Sequence, residues 1–277
     1  MPTPRPVRPA LRPRAGAVHR ADAAGSRDDA DTGGLLPVLV LLHGGFWRAR
    51  YDLGAIRQLV PRFVAQGYAV AAIEYRRVGQ RGGGWPGTLA DVAAGVDALA
   101  EPPATAASSA REALDRLDLG RVAVLGHSAG GQLALWLAGR HRLPADAPGG
   151  PPAVRPMLAV SLAGVCDLQP AARQRMGDGA VSAFLGGTPD QVPERYPVAD
   201  PIALLPLGVR TLLVSGDRDA NVTVQQSRAY RDAAASAGDD IELMELPGGD
   251  HFIVVDPDAA HWALVDEWLA VSPPAAH

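Results

Sequence analysis

Apolar and polar positions alternate along this chain in two rhythms. Short, nearly continuous apolar runs occur at LPVLVLL (36–42), YAVAAIEY (68–75), RVAVLG (121–126), MLAVSLAG (157–164), RTLLVSG (210–216) and IELMEL (241–246). Runs of that length, rich in Val, Leu and Ile and bounded by Gly or polar residues, predict strands buried on both faces. Between them, apolar residues recur at helical spacing. Residues 53–66 place them at 53, 56, 59, 60, 63 and 64, with Pro61 implying a kink or a late start and Gly67 a stop. Helices are also predicted over 88–100, over 108–117, from the residues after GHSAGG to about Gly139, and over 223–238. A last helix is predicted over 256–271, with Asp256 as its cap and Pro257 at its first position. Strands and helices in alternation predict an α/β fold: a mostly parallel, doubly wound sheet with helices on both faces.

Two regions break the rhythm. Residues 1–34 are rich in Pro, Arg and polar residues and read as a flexible segment, with one short edge strand expected between Ala15 and Arg20. Residues 167–206, rich in Pro, Gly and Arg, interrupt the alternation and read as a small, irregular cap insertion that sets the substrate. The main domain is thus expected over 35–271, with 272–277 as a tail.

Composition narrows the class of protein. With 277 residues the chain suits one large α/β domain or two small ones, and 47% hydrophobic with 20% charged residues is ordinary for a soluble globular protein. A net charge of −4 gives no basis for binding nucleic acid or an anionic membrane. All 26 basic residues are Arg, which reads as a genomic bias and weakens any argument from arginine clusters. No apolar run approaches the roughly 18 residues that span a bilayer. The Arg-rich N-terminus has no apolar core of a secretory signal, so a cytoplasmic location is the expectation. The single Cys166, at the end of an apolar run, reads as a buried, inert thiol and rules out both an internal disulfide and a Cys-based metal site. No metal or cofactor is implied.

The chemistry concentrates at strand ends. GHSAGG (126–131) joins the run RVAVL to a helix, so Ser128 sits in a G-x-S-x-G turn that holds a serine at strained backbone angles. Serine needs a base within hydrogen-bond reach, and the base needs a third group to fix its tautomer. Downstream, SGDRDANV follows a strand, and the spacing G-x-x-D-x-x-V from Gly216 to Val222 selects Asp219 as that third group. Asp217, one residue after Gly216, competes for the role but suits bracing of the turn through backbone amides. PGGDHF follows the last strand and offers His251 as the base, beside Asp250. Other histidines are weaker candidates: His19 lies in the N-terminal segment, His141 after a helix, His261 within one, and His277 at the terminus. His127 is expected to point away from the serine. LLHGGFWR (41–48) ends a strand with two glycines, whose bare backbone lets Gly44 and Gly45 offer N–H groups to an oxyanion, joined by the N–H of Ala129 at a helix start. Phe46, Trp47 and Trp85 are candidates for a substrate pocket, whereas Trp136 and Trp262, on helices, read as core. Glu74 and Asp52 read as ion-pair or loop supports.

These motifs in this order resemble the serine hydrolases of the α/β-hydrolase superfamily, over about residues 35–271. HGGFW further resembles the HGGxW motif of the arylformamidase-like group, which borders lipase-like and feruloyl or acetylxylan esterase-like enzymes. The hormone-sensitive-lipase pattern has a third glycine where this chain has Phe46. The resemblance implies a triad of Ser128, Asp219 and His251 with an oxyanion site at Gly44, Gly45 and Ala129.

The function expected is therefore hydrolysis of small acyl or aryl carboxylic esters through an acyl-enzyme, by a monomer or homodimer. The alternative within the same mechanism is an arylformamidase acting on N-formylkynurenine-like amides. Lyase or acyltransferase chemistry would use the same three residues. A binding protein on a hydrolase fold would usually have lost one of them. Dehalogenases and epoxide hydrolases need Asp where Ser128 stands.

Overall fold

The computed structural model describes residues 34–270 and the two-residue strand Val18–His19. The expectations for the rest of 1–34 and for 272–277 lie outside the described residues. Among the described residues seven strands form one sheet in the order β1-β3-β2-β4-β5-β6-β7. They are β1 (Val18–His19), β2 (Leu36–Leu42), β3 (Ala69–Ile73), β4 (Leu117–His127), β5 (Leu158–Leu162), β6 (Arg210–Gly216) and β7 (Ile241–Leu246). Among the described strands only β1 runs antiparallel, pairing Val18 with Ala71 at one edge.

The alternation of side chains across the strands divides the core in two. Val38, Val40 and Leu42 face one layer, and Leu39 and Leu41 the other. The first layer holds α2 (Gly87–Asp97), α4 (Ala129–Gly139) and α8 (Gln225–Ser236); the second holds α1 (Val60–Ala65) and α9 (Trp262–Ala270). A short exposed helix, α3 (Ser108–Leu114), precedes β4. Every residue of α4 is buried, so the helix that follows Ser128 is fixed on all sides. At the far edge, β7 carries Glu242 and Glu245, charges that suit an outer strand.

Several elements differ from expectation. The helix expected over 53–66 opens as two 3-10 turns, Leu53–Ala55 and Arg57–Leu59, and only then becomes α1, with Pro61 in its first turn, where its missing N–H has no partner to lose. The helix expected over 256–271 begins at Trp262 instead. Asp256 caps only a local turn, accepting from the Asp258 amide, while its carbonyl takes the Trp262 indole N–H at 2.7 Å. Insertion 167–206 is largely helical: α5 (Leu168–Arg173), α6 (Met176–Leu185), α7 (Tyr196–Ala199) and a 3-10 turn, Pro201–Leu204. Its Leu168, Val181, Phe184 and Tyr196 are buried in the first core layer, so the segment belongs to the body of the domain.

Candidate active site

Ser128 lies at the crossing of β4 and α4 with φ 56° and ψ −117°, a conformation a non-glycine residue adopts only where its surroundings impose it. The imposition comes from two glycines. A Cβ on Gly126 would lie 2.0 Å from the Gly130 carbonyl oxygen, and one on Gly130 would lie 2.1 Å from the Leu42 carbonyl oxygen. Strand, turn and helix thus touch through bare backbone. The Ser128 N–H donates to Leu162 on the neighbouring β5 at 2.8 Å.

The ends of β6 and β7 bring Asp219 and His251 together. His251 Nδ1 lies 2.6 Å from Asp219 Oδ2, both side chains being buried. The other carboxylate oxygen of Asp219 accepts the N–H groups of Asn221 (2.7 Å) and Val222 (2.9 Å), which locks the carboxylate in place. A carboxylate partner puts the ring proton on Nδ1 and leaves Nε2 as the basic nitrogen. Asp217 instead accepts from the Gly248 amide at 2.7 Å and braces the turn. Asp250 accepts from the amides of Phe252 and Ile253, both at 2.9 Å, and those bonds hold its carboxyl below the usual range. Ser128 and His251 line one cavity of about 710 Å³. Ser128 Oγ and His251 are not hydrogen-bonded to each other here; such links are often long before substrate is present.

His127, expected from the sequence to point away from the serine, stands instead beside the site. Its ring lines the same cavity, and its Nε2–H donates to the His251 carbonyl at 3.0 Å. Burial, followed by the nearby His251, drives its pKa down to about 3, so it is a neutral ring that steadies the His251 loop.

On the opposite side, Gly44 and Gly45 line the cavity beside Ser128. The N–H groups of Gly44, Gly45 and Ala129 donate to no protein acceptor among the described residues. Gly45 has φ +109°, and a Cβ there would lie 2.4 Å from Tyr51. The loop is tied from behind. Tyr75 OH donates to the His43 carbonyl at 2.7 Å, and the Glu74 carboxylate accepts from His43 Nε2 (3.0 Å) and the Leu53 amide (3.3 Å) and forms an ion pair with Arg77 (2.9 Å). Burial pushes the Glu74 carboxyl up, but its bond to His43 and the charges of His43 and Arg77 outweigh this and hold it below its ordinary value. Asp52 caps the first 3-10 turn by accepting from Gly54 at 2.8 Å.

Of the three aromatic pocket candidates, Phe46 lines the cavity. Trp47 and Trp85 do not. Trp47 is fully buried, stacked on Phe184 with centroids 4.6 Å apart, and its indole N–H reaches Gln132. Trp85 packs half-buried against the first core layer, under the Arg195 guanidinium. The wall also includes Tyr51, Gln58, Asn221, Phe252, Val255 and Pro257. Among the described residues, none of 167–206 lines it; the insertion reaches the cavity only indirectly, Gly177 lying against the Phe46 ring. Trp136 and Trp262 are core residues, and the Cys166 thiol is buried and pushed up to about 12 by its burial. Among the described residues, no three His, Cys, Asp or Glu side chains are grouped as a metal site requires, and no helix is long and apolar enough to cross a membrane.

A parallel sheet, a strained serine turn after its central strand β4 and a cavity at the strands' C-terminal ends define the α/β-hydrolase fold. The model of the BD-FAE family matches residues 28–233, about three quarters of the chain, and the chain belongs to that family. Solved structures agree on the fold. Esterase Est2 from Thermogutta terrifontis with butyrate bound is 20% identical, with TM-score 0.68 over 87% of this chain and 85% of that one. The acetyl ester-xyloside bifunctional hydrolase from Caldicellulosiruptor lactoaceticus is 22% identical, with TM-score 0.65 over 86% and 84%. The bifunctional GH43-CE protein of Bacteroides eggerthii is 21% identical with TM-score 0.68, but this chain, matched over 87% of its own length, spans only 32% of that protein's. No curated protein matches the sequence.

Proposed function

We propose that this protein is a serine hydrolase of small carboxylic esters, working through an acyl-enzyme. The observation that carries the proposal is the 2.6 Å bond from His251 Nδ1 to a buried, doubly anchored Asp219, in a cavity shared with a strained Ser128. In this reading Ser128 Oγ attacks the acyl carbon while His251 Nε2 takes its proton. The oxyanion that forms is met by the unpaired N–H groups of Gly44, Gly45 and Ala129. Collapse breaks the ester bond, His251 returns the proton to the departing alcohol, and water repeats the sequence to release the acid. Asp219 stays ionised and stabilises the imidazolium between the two proton transfers.

An ester is preferred over a formamide substrate. The arylformamidase alternative stems from HGGFW, and Trp47 of that motif is buried in the core and does not line the cavity. The aromatic lining by Phe46, Tyr51 and Phe252 suits small acyl or aryl groups. The solved relatives whose names describe esterases support the same choice.

The test is a burst assay with p-nitrophenyl acetate and butyrate, on the wild type and Ser128→Ala, with N-formylkynurenine alongside. The expected result is a stoichiometric burst on the esters, lost in Ser128→Ala, with slower turnover of the formamide. Folded protein with no burst on either ester and no labelling of Ser128 by a fluorophosphonate overturns the proposal.

A further inference from the structure

His43 is completely buried, and both of its ring nitrogens face acceptors. Nδ1 lies 2.7 Å from the Gly44 carbonyl oxygen and Nε2 lies 3.0 Å from the Glu74 carboxylate. A carbonyl oxygen can only accept, and so can an ionised carboxylate. The nearby Tyr75 hydroxyl, 3.4 Å from Nδ1, does not supply a proton there, because its own proton goes to the His43 carbonyl. A neutral imidazole has one N–H and would leave one of the two contacts as a repulsion between lone pairs. From this geometry we infer that His43 is an imidazolium, held by Glu74 as a fixed positive charge behind the oxyanion site, and that it is a positioning residue for the Gly45 N–H. The second half of the inference rests on the esterase reading above.

The route from His43 to the reacting atoms is one peptide long. The Gly44–Gly45 peptide is trans, so its carbonyl and its N–H point in opposite directions. Fixing the Gly44 oxygen on the buried ring therefore turns the Gly45 N–H away from it; that N–H has no protein acceptor, and Gly45 lines the cavity. A cation bonded to the carbonyl also polarises the peptide, making its N–H a stronger donor. The groups facing the ring are consistent with a cation. Glu74 bonds it directly, the Tyr75 ring stacks on it at 4.3 Å and 4°, and His127, across Gly44, is neutral. Arg77 opposes the charge but is itself paired with Glu74 at 2.9 Å.

The test is nitrogen-15 NMR of histidine-labelled protein at pH 8, on the wild type and Glu74→Gln, with ester kinetics on the same samples. Expected in the wild type is one histidine with both ring nitrogens protonated, which becomes a single-N–H neutral ring in Glu74→Gln. The kcat for p-nitrophenyl acetate should fall about tenfold, less than the roughly 10²–10³ lost with a whole donor, with KM within about twofold. A merely structural role would not change the ring's protonation. Absence of any doubly protonated histidine in the wild type at pH 8 overturns the inference, whatever the enzyme hydrolyses and whether or not the variant folds. A neutral ring in Glu74→Gln with unchanged kcat overturns the positioning role alone.

Discussion

The cavity has two walls, built differently. The wall from His43 to Leu53 is held by charge: Glu74 gathers His43, Arg77 and the Leu53 amide, and Tyr75 fixes the strand end. The wall from Asp250 to Pro257 carries one carboxylate contact, Asp219 on the His251 ring, and is otherwise held by turns and single bonds, among them the Asp250 turn, the link from His127 to the His251 carbonyl, and Gln58 reaching across to the Val255 carbonyl at 3.0 Å. Phe252 on that wall is 62% exposed. The difference matches the two tasks that the proposed mechanism gives the walls. Donors that meet a developing charge gain from being fixed in advance. A base that takes and returns a proton, and whose contact with Ser128 is still open, needs orientation but some freedom.

The largest expected break falls on the second wall. Asp219→Asn should lower kcat by about 10⁴ with the fold intact, because the amide favours the wrong imidazole tautomer. Turnover together with circular dichroism checks this. On the first wall, Gly45→Ala puts a Cβ 2.4 Å from Tyr51 at φ +109° and displaces the donor peptide, so ester turnover should drop about 10²–10³. Gly248→Ala is the matched control. Its φ is +73° but nothing lies within 4 Å, so it should cost about 1 kcal/mol in urea unfolding and leave kcat unchanged.

His127→Phe sharpens the contrast. It leaves the His251 carbonyl without its donor, a loss of about 1–3 kcal/mol, and should loosen the base and lower kcat more than it raises KM. It also has a pH signature. His127 takes up a proton near 6.5 when unfolded but only near 3 when folded. Between those values the unfolded chain binds more protons, so stability falls as pH falls from 6.5 towards 3. The variant should lose that part of the slope in chemical denaturation measured across the window. The smallest effect is expected for Phe252→Ala. Its exposure limits the stability change to about 0.5 kcal/mol, and the readout is a modest rise in KM for aryl over acetyl esters.

The sheet was legible because its strands are buried on both faces and therefore read as apolar runs. The candidate residues were legible because each sits just past such a run. Side-chain direction was not. Gly45, Phe46 and Trp47 follow one another with φ of 109°, 51° and 53°, and a left-handed stretch of that kind abolishes any face rule. Phe46 turns to the cavity and Trp47 to the core, although the two are adjacent. The bond from His127 to the His251 carbonyl joins residues 124 positions apart, and no local pattern announces it. Glu74 was readable as an ion-pair partner of a neighbouring arginine, but its hold on His43 depends on β2 and β3 lying side by side. Insertion 167–206 reads as irregular because its helices are short and broken by residues such as Gly177 and Gly179 at positive φ.

The interlocked backbone at Gly126 and Gly130 shapes what a saturation library of this gene would report. Screened for colour on an ester, positions 126, 128 and 130 would look equally intolerant, and a ranking by fitness would count three essential residues. Sorting the same clones by soluble yield would separate them. Ser128 variants should accumulate as inert, well-behaved protein, whereas any side chain at 126 or 130 must force apart β4, α4 and the end of β2 and should empty the soluble fraction.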